Sequence, residues 1–172
     1  MLAFFNNTTR SLFLAFIALS VTACGFQLRG QAEIPQALKT ITLTSEAKSN
    51  TFNTSLRIAL TRAGITVVDA KDAADDVLEL KVNAITTADT VLARNSSNDI
   101  TQIERRMRTS YFIRQDDGKS LYGPRTVSTS KTLSNQNSEE STKAAYNKSK
   151  EEEMSEELAN QLIYDLGYAP IK

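Results

Sequence analysis

The apolar positions along this chain change period several times, and each change predicts an element. Between Leu38 and Thr44 they alternate, with Ile41 and Leu43 on one face among threonines and Leu38 offset from them, which predicts a strand. From about Thr51 to Ala63 the spacing lengthens. Phe52, Leu56, Ala59, Leu60 and Ala63 form one stripe of an amphipathic helix, closed by Gly64 as a C-terminal cap. A short strand, Ile65 to Asp69, comes next, then a polar acidic loop from Lys71 to Asp76.

In Val77 to Ala84 the apolar Leu78, Leu80, Val82 and Ala84 alternate with Glu79, Lys81 and Asn83, so one face is core and the other wet. At Ile85 the apolar parity slips to odd positions, Ile85 and then Val91, which predicts a bulge or twist within one long strand. Arg94 to Asp99 is a turn by composition. Beyond it Ile103, Met107, Tyr111 and Ile113 share one parity, with Glu104, Arg106 and Arg108 on the other. Asp116 to Lys119 then makes a hairpin turn into a Thr/Ser-rich return strand, about Leu121 to Leu133. Pro124 near its start suits an edge strand or an entry position.

The tail predicts a long helix. Asn137 and Glu140 can form a capping box, Gly167 supplies the stop, and Met154, Leu158, Leu162 and Leu166 repeat every four residues. At about 1.5 Å per residue this rod is roughly 44 Å long, and the paired long strands extend about 50 Å. The fold class these lengths predict is α+β. It is an elongated two-layer sandwich, with two helices on one face of a mostly antiparallel (mixed) sheet of about four strands. The other sheet face, rich in Thr, Ser, Arg and Lys, then meets solvent or a polar partner.

The chain has 172 residues, with 20 basic and 20 acidic side chains, one cysteine, no histidine and no tryptophan. One thiol excludes an intrachain disulfide, and the missing imidazoles exclude His-based zinc sites and Ser-His-Asp or Cys-His catalysis. The paired aspartates Asp75-Asp76 and Asp116-Asp117 lie in loops with no partner base, and no Gly-rich phosphate loop is visible. Carboxylates and lysines remain as possible catalysts, but no enzyme, cofactor or metal is expected, and a net charge of zero argues against a global nucleic-acid binder while leaving room for a local patch. The charge is unevenly spread, because Arg94 to Lys131 carries eight basic and four acidic residues. That stretch is either a solvated face whose charges blunt edge pairing or a site for an anionic ligand. Arg106 and Arg108 are candidate contacts in the second case.

The one cysteine, Cys24, ends a short apolar run, Ser11 to Val21, that follows a polar start containing Arg10. About eleven helical residues rise only about 17 Å, too little to span a bilayer, so residues 1–23 read as a signal peptide. Val21-Thr22-Ala23-Cys24 resembles the lipobox of bacterial lipoproteins. That implies a mature single domain, 24–172, whose Cys24 carries N-acyl and S-diacylglycerol chains, palmitate-type lipid that suffices for stable anchoring. Gly25 is not the aspartate that retains lipoproteins in the inner membrane, which implies the outer membrane.

The residues after the lipobox, Cys24-Gly25-Phe26-Gln27-Leu28-Arg29-Gly30, resemble the opening of the LPS-assembly lipoprotein (LptE) family, and the order of elements is similar over the whole mature chain. The resemblance implies a non-enzymatic lipoprotein that enters the lumen of the large outer-membrane β-barrel LptD from the periplasmic side. There it assists the barrel's assembly, binds lipopolysaccharide and forms a plug-and-barrel translocon. It further implies lipopolysaccharide contacts at Arg94 and Lys143, although Lys143 also reads as an ordinary surface lysine. The same anchor would suit another periplasm-facing lipoprotein, such as a pilotin or a transport accessory.

Overall fold

A computed structural model describes residues 34–134 and 140–171. Residues 1–23, expected to be a signal peptide, Cys24 with the residues that follow it to Gly30, and Asn137 of the expected capping box lie outside the described residues. Within these, six strands and two long helices occur in the order β1 (Thr40–Ser45), α1 (Asn50–Arg62), β2 (Thr66–Val68), β3 (Leu78–Val82), β4 (Thr86–Arg94), β5 (Ile100–Arg114), β6 (Ser120–Ser134) and α2 (Glu140–Leu166). The class is α+β as expected, but with six strands rather than about four. Two pieces account for the difference. β2 is a full partner of β1, and the long strand expected from Val77 to Leu92 is divided into β3 and β4. Leu38 belongs to a 3-10 turn, Gln36–Leu38, that precedes β1; it is fully buried, which explains its offset from the strand pattern.

β1 lies between β2 and β3 and runs parallel to both. The β1–β2 pair is bridged by α1, the kind of crossover a parallel pair requires. Ser49 caps α1 by accepting a hydrogen bond from the Phe52 N–H at 3.2 Å. Gly64, with φ of 76°, closes it in the left-handed conformation that glycine adopts without penalty.

β5 is the spine of the sheet. One of its edges pairs antiparallel with β6 over its length, and the other pairs antiparallel with β3 and then with β4. Val82 stands opposite Tyr111 and Thr86 opposite Arg108. Residues 83–85 therefore face only residues 109–110, and one extra residue is held as a bulge. The Asn83 N–H reaches the Ser110 carbonyl at 2.9 Å and the Thr109 hydroxyl the Asn83 carbonyl at 2.8 Å. The parity slip at Ile85 marks a bulge, but it does not lie within one long strand as the pattern predicts: β3 ends at Val82 and β4 begins at Thr86, so the slip ends one ladder and begins the next.

The helices cover one sheet face. Phe52, Leu56 and Leu60 of α1 and Met154, Leu158, Leu162 and Leu166 of α2 pack with Ile41, Leu80, Val82, Tyr111 and Ile113 in one core, all essentially inaccessible to water. Each such side chain contributes about 1.5–3 kcal/mol by burial. The cover thins toward the far end of the sheet, where every residue of β4 except Ala93 is exposed.

Candidate functional site

Strand alternation sorts the basic residues of the central hairpin into two populations. On the helix-covered face, Arg105 follows the parity of Ile103 and Met107 and is consumed by ion pairs. Its Nε and Nη2 donate to the two carboxylate oxygens of Asp89 at 2.8 and 2.6 Å, and Nη1 donates to Glu151 of α2. This bidentate bond holds the Asp89 carboxyl below its usual range. Arg125 is likewise bound to Asp165, and Lys131 to Glu157 at 3.2 Å. Glu157 also accepts from the buried Thr129 hydroxyl at 2.6 Å, the main cause of its lowered pKa.

The uncovered face is different. Arg106 and Arg108 stand on it, exposed, between rows of small polar side chains: Arg106 opposite Ser130 and Ala88, Arg108 opposite Ser128 and Thr86. Thr132, Ser134, Thr126 and Thr90 continue the hydroxyl rows. Arg106 has only a loose partner, Glu104 at 3.8 Å. Arg108 takes part in no ion pair among the described residues, and it borders a shallow depression of about 240 Å³ shared with Thr86, Ser110 and Thr126. A planar guanidinium among hydroxyls can grip a phosphate or carboxylate in a bidentate fashion.

The four expected anion contacts do not form one cluster. Arg106 and Arg108 share the open face. Arg94 lies at the far tip of the sheet, where its guanidinium donates to the Asn98 carbonyl at 2.8 Å and secures the β4–β5 turn. Arg94 pairs with Ile100, six residues or about 20 Å along β5 from Arg106. Lys143 is in the first turn of α2, in the helix layer, half-buried and already engaged. What charge counting over Arg94 to Lys131 misses is how many of those cations are spent within the fold. The signal that identifies Arg105 is its parity, which it shares with core residues.

These features define a class, a two-layer α+β domain with an uncovered polar sheet face. The same fold occurs in a minor lipoprotein from Acinetobacter baumannii, with a TM-score of 0.65 at 20% identity over 77% of this chain and 93% of that one. It also occurs in the rare lipoprotein B from Shewanella oneidensis, with a TM-score of 0.62 at 14% identity over 74% and 92%. A lipoprotein B from Nitrosomonas europaea gives a TM-score of 0.64 at 18% identity over 83% and 90%. Among curated protein sequences none matches. The family model for lipopolysaccharide assembly, LptE, matches residues 38–166, and the chain belongs to that family.

Proposed function

We propose that this protein is an outer-membrane lipoprotein, lipidated at Cys24, that partners and plugs a large β-barrel of the LptD type. In this reading it assists assembly of the barrel, binds lipopolysaccharide and helps deliver it to the outer leaflet. It performs no bond-making chemistry and needs no cofactor beyond its covalent lipid. The observation that carries the reading is the family match, which runs from Leu38, ahead of β1, to the last residue of α2. Lipoproteins with the same fold support it. The open sheet face supports it as well, since a barrel lumen is polar and water-filled, and a hydroxyl- and arginine-bearing surface suits both that environment and a phosphorylated lipid. No helix among the described residues is long and apolar enough to cross a membrane, so in this reading attachment depends on Cys24.

Co-purification from outer membranes tests the proposal. A large barrel should come away with the lipoprotein, and depleting the lipoprotein should leave that barrel misassembled. Normal barrel assembly without it would overturn the reading and favour a pilotin or accessory of another complex.

A further inference from the structure

The solvent-facing line of α2 changes character at its end. Glu152, Glu156 and Asn160 follow one another at four-residue intervals, all exposed, as polar as a solvated helix face should be. The next two positions of the same series are Tyr164 and Tyr168, 49% and 61% exposed. Their hydroxyls are 2.9 Å apart and their rings meet edge to face with centroids 5.1 Å apart, so the two form one aromatic unit. Neither ring contributes to the core, which α2 serves through Met154, Leu158, Leu162 and Leu166.

The position of this unit is informative. Asp165, between the tyrosines, binds Tyr111, three residues from the end of β5. At that same end β1 begins, with Ile41 opposite Leu78 and the next residue of β3, Glu79, opposite Arg114, the last residue of β5; Ile34, the first described residue, precedes β1 by six positions. The chain therefore enters the domain at the end that carries the tyrosines. Ten residue steps separate Ile34 from Cys24, a leash of at most about 35 Å. The opposite end of β5, with Arg94 and the β4–β5 turn, lies about 50 Å farther on.

We propose that the Tyr164–Tyr168 pair is the surface on which the anchored domain rests against the bilayer, before it engages a barrel. Tyrosine suits the headgroup level, with an apolar ring and a hydroxyl that stays wet. Asp116 and Asp117 outnumber Lys119 in the β5–β6 turn at the same end and disfavour a strongly anionic surface, which favours a zwitterionic bilayer interface as the occupant. This inference rests on the lipidation of Cys24.

The chain contains no tryptophan, so Y168W introduces a single one, whose emission can be excited apart from that of the tyrosines. Y146W does the same at an exposed tyrosine near the start of α2. Each full-length lipidated variant is reconstituted into phosphatidylcholine vesicles with or without brominated acyl chains. The expected result is a blue shift and loss of most of the emission in Y168W, with Y146W unaffected. Equal quenching in both variants, or none in Y168W although the protein floats with the vesicles, overturns the contact and leaves the anchor standing. Failure to float overturns the anchor and the contact together. Shielding of Y168W from a soluble quencher by an added protein partner and not by vesicles would also overturn it, assigning the pair to that partner.

Discussion

The buried Tyr111 hydroxyl donates to the Asp165 carboxylate at 2.8 Å, and this bond joins β5, near its end, to the last turn of α2. Arg125 completes the arrangement from β6, donating to the same carboxylate through Nε at 3.0 Å and Nη2 at 2.6 Å. Asp165 is thereby held ionised, its pKa lowered chiefly by Arg125 and further by Tyr111. Burial pushes the Tyr111 pKa up.

Replacing Asp165 with alanine should therefore cost about 1–3 kcal/mol, because it strands the buried Tyr111 hydroxyl and removes the guanidinium's partner. Tyr111→Phe should cost less, since the carboxylate keeps Arg125. Urea denaturation of the protein measures both, and wild-type stability in Asp165→Ala would refute the role assigned to this carboxylate.

The same groups set an acid limit. Asp165, Asp89 and Glu157 all have folded pKa values below their ordinary ones. Their contribution is present above the unfolded carboxylate range, about 4, and is lost as pH falls through the folded values. Stability should thus be flat from neutral pH to about 5 and decline below about 4, with a shallower decline in Asp165→Asn. Denaturation midpoints recorded across that range provide the check.

Two glycines of the β5–β6 hairpin, Gly118 in its turn and Gly123 at a register shift within β6, should respond differently to alanine. Gly118, with φ of 80°, has nothing within 4 Å of an added Cβ. Its substitution should cost only the left-handed backbone penalty, about 1–2 kcal/mol. At Gly123, with φ of 102°, the Cβ would lie 2.6 Å from the Tyr111 carbonyl oxygen, which is backbone and cannot swing aside. Gly123→Ala should lower the thermal midpoint clearly more than Gly118→Ala, and equal effects would show that the hairpin adjusts around the added methyl.

The open and covered arginines should separate binding from stability. Arg106→Glu with Arg108→Glu should weaken binding of purified lipopolysaccharide, most visibly at low salt, and change stability by no more than about 0.5 kcal/mol. Arg94→Asp with Lys143→Asp tests the tip and the helix start in the same assay. Arg105→Ala should do the reverse, losing about 1–2 kcal/mol of stability by releasing Asp89 and Glu151 with little effect on binding. Unchanged binding in the Arg106/Arg108 or the Arg94/Lys143 double variant removes that pair from the site.

Much of this fold is legible in the sequence because period and parity carry it. The stripe Phe52, Leu56, Leu60 and the repeat Met154 to Leu166 are the buried faces of the two helices, and Gly64 closes the first as its spacing predicts. The short strand at β2 is legible but its pairing with β1 is not, and the division of Val77 to Leu92 into β3 and β4 shows in the sequence only as a slip of parity, so the strand count is not legible. The candidate site is legible in composition but not in arrangement. Arg105, Arg106 and Arg108 look alike in a charge count, and the difference between them depends on Asp89 and Glu151, which lie 16 and 46 residues away from Arg105.

The bulge at residues 83–85 determines more than the shape of one edge. If the ladder ran on from Val82 opposite Tyr111 with no extra residue, Ala88 would stand opposite Arg105, and Asp89 would turn over to stand opposite Glu104. Arg105 would then be a partly buried cation without its bidentate partner, and the uncovered face would gain a carboxylate beside Arg106. A single surplus residue thus assigns the negative charge of β4 to the inner layer and leaves the outer face positive, so the electrostatic sign of the exposed surface depends on a local irregularity of the backbone.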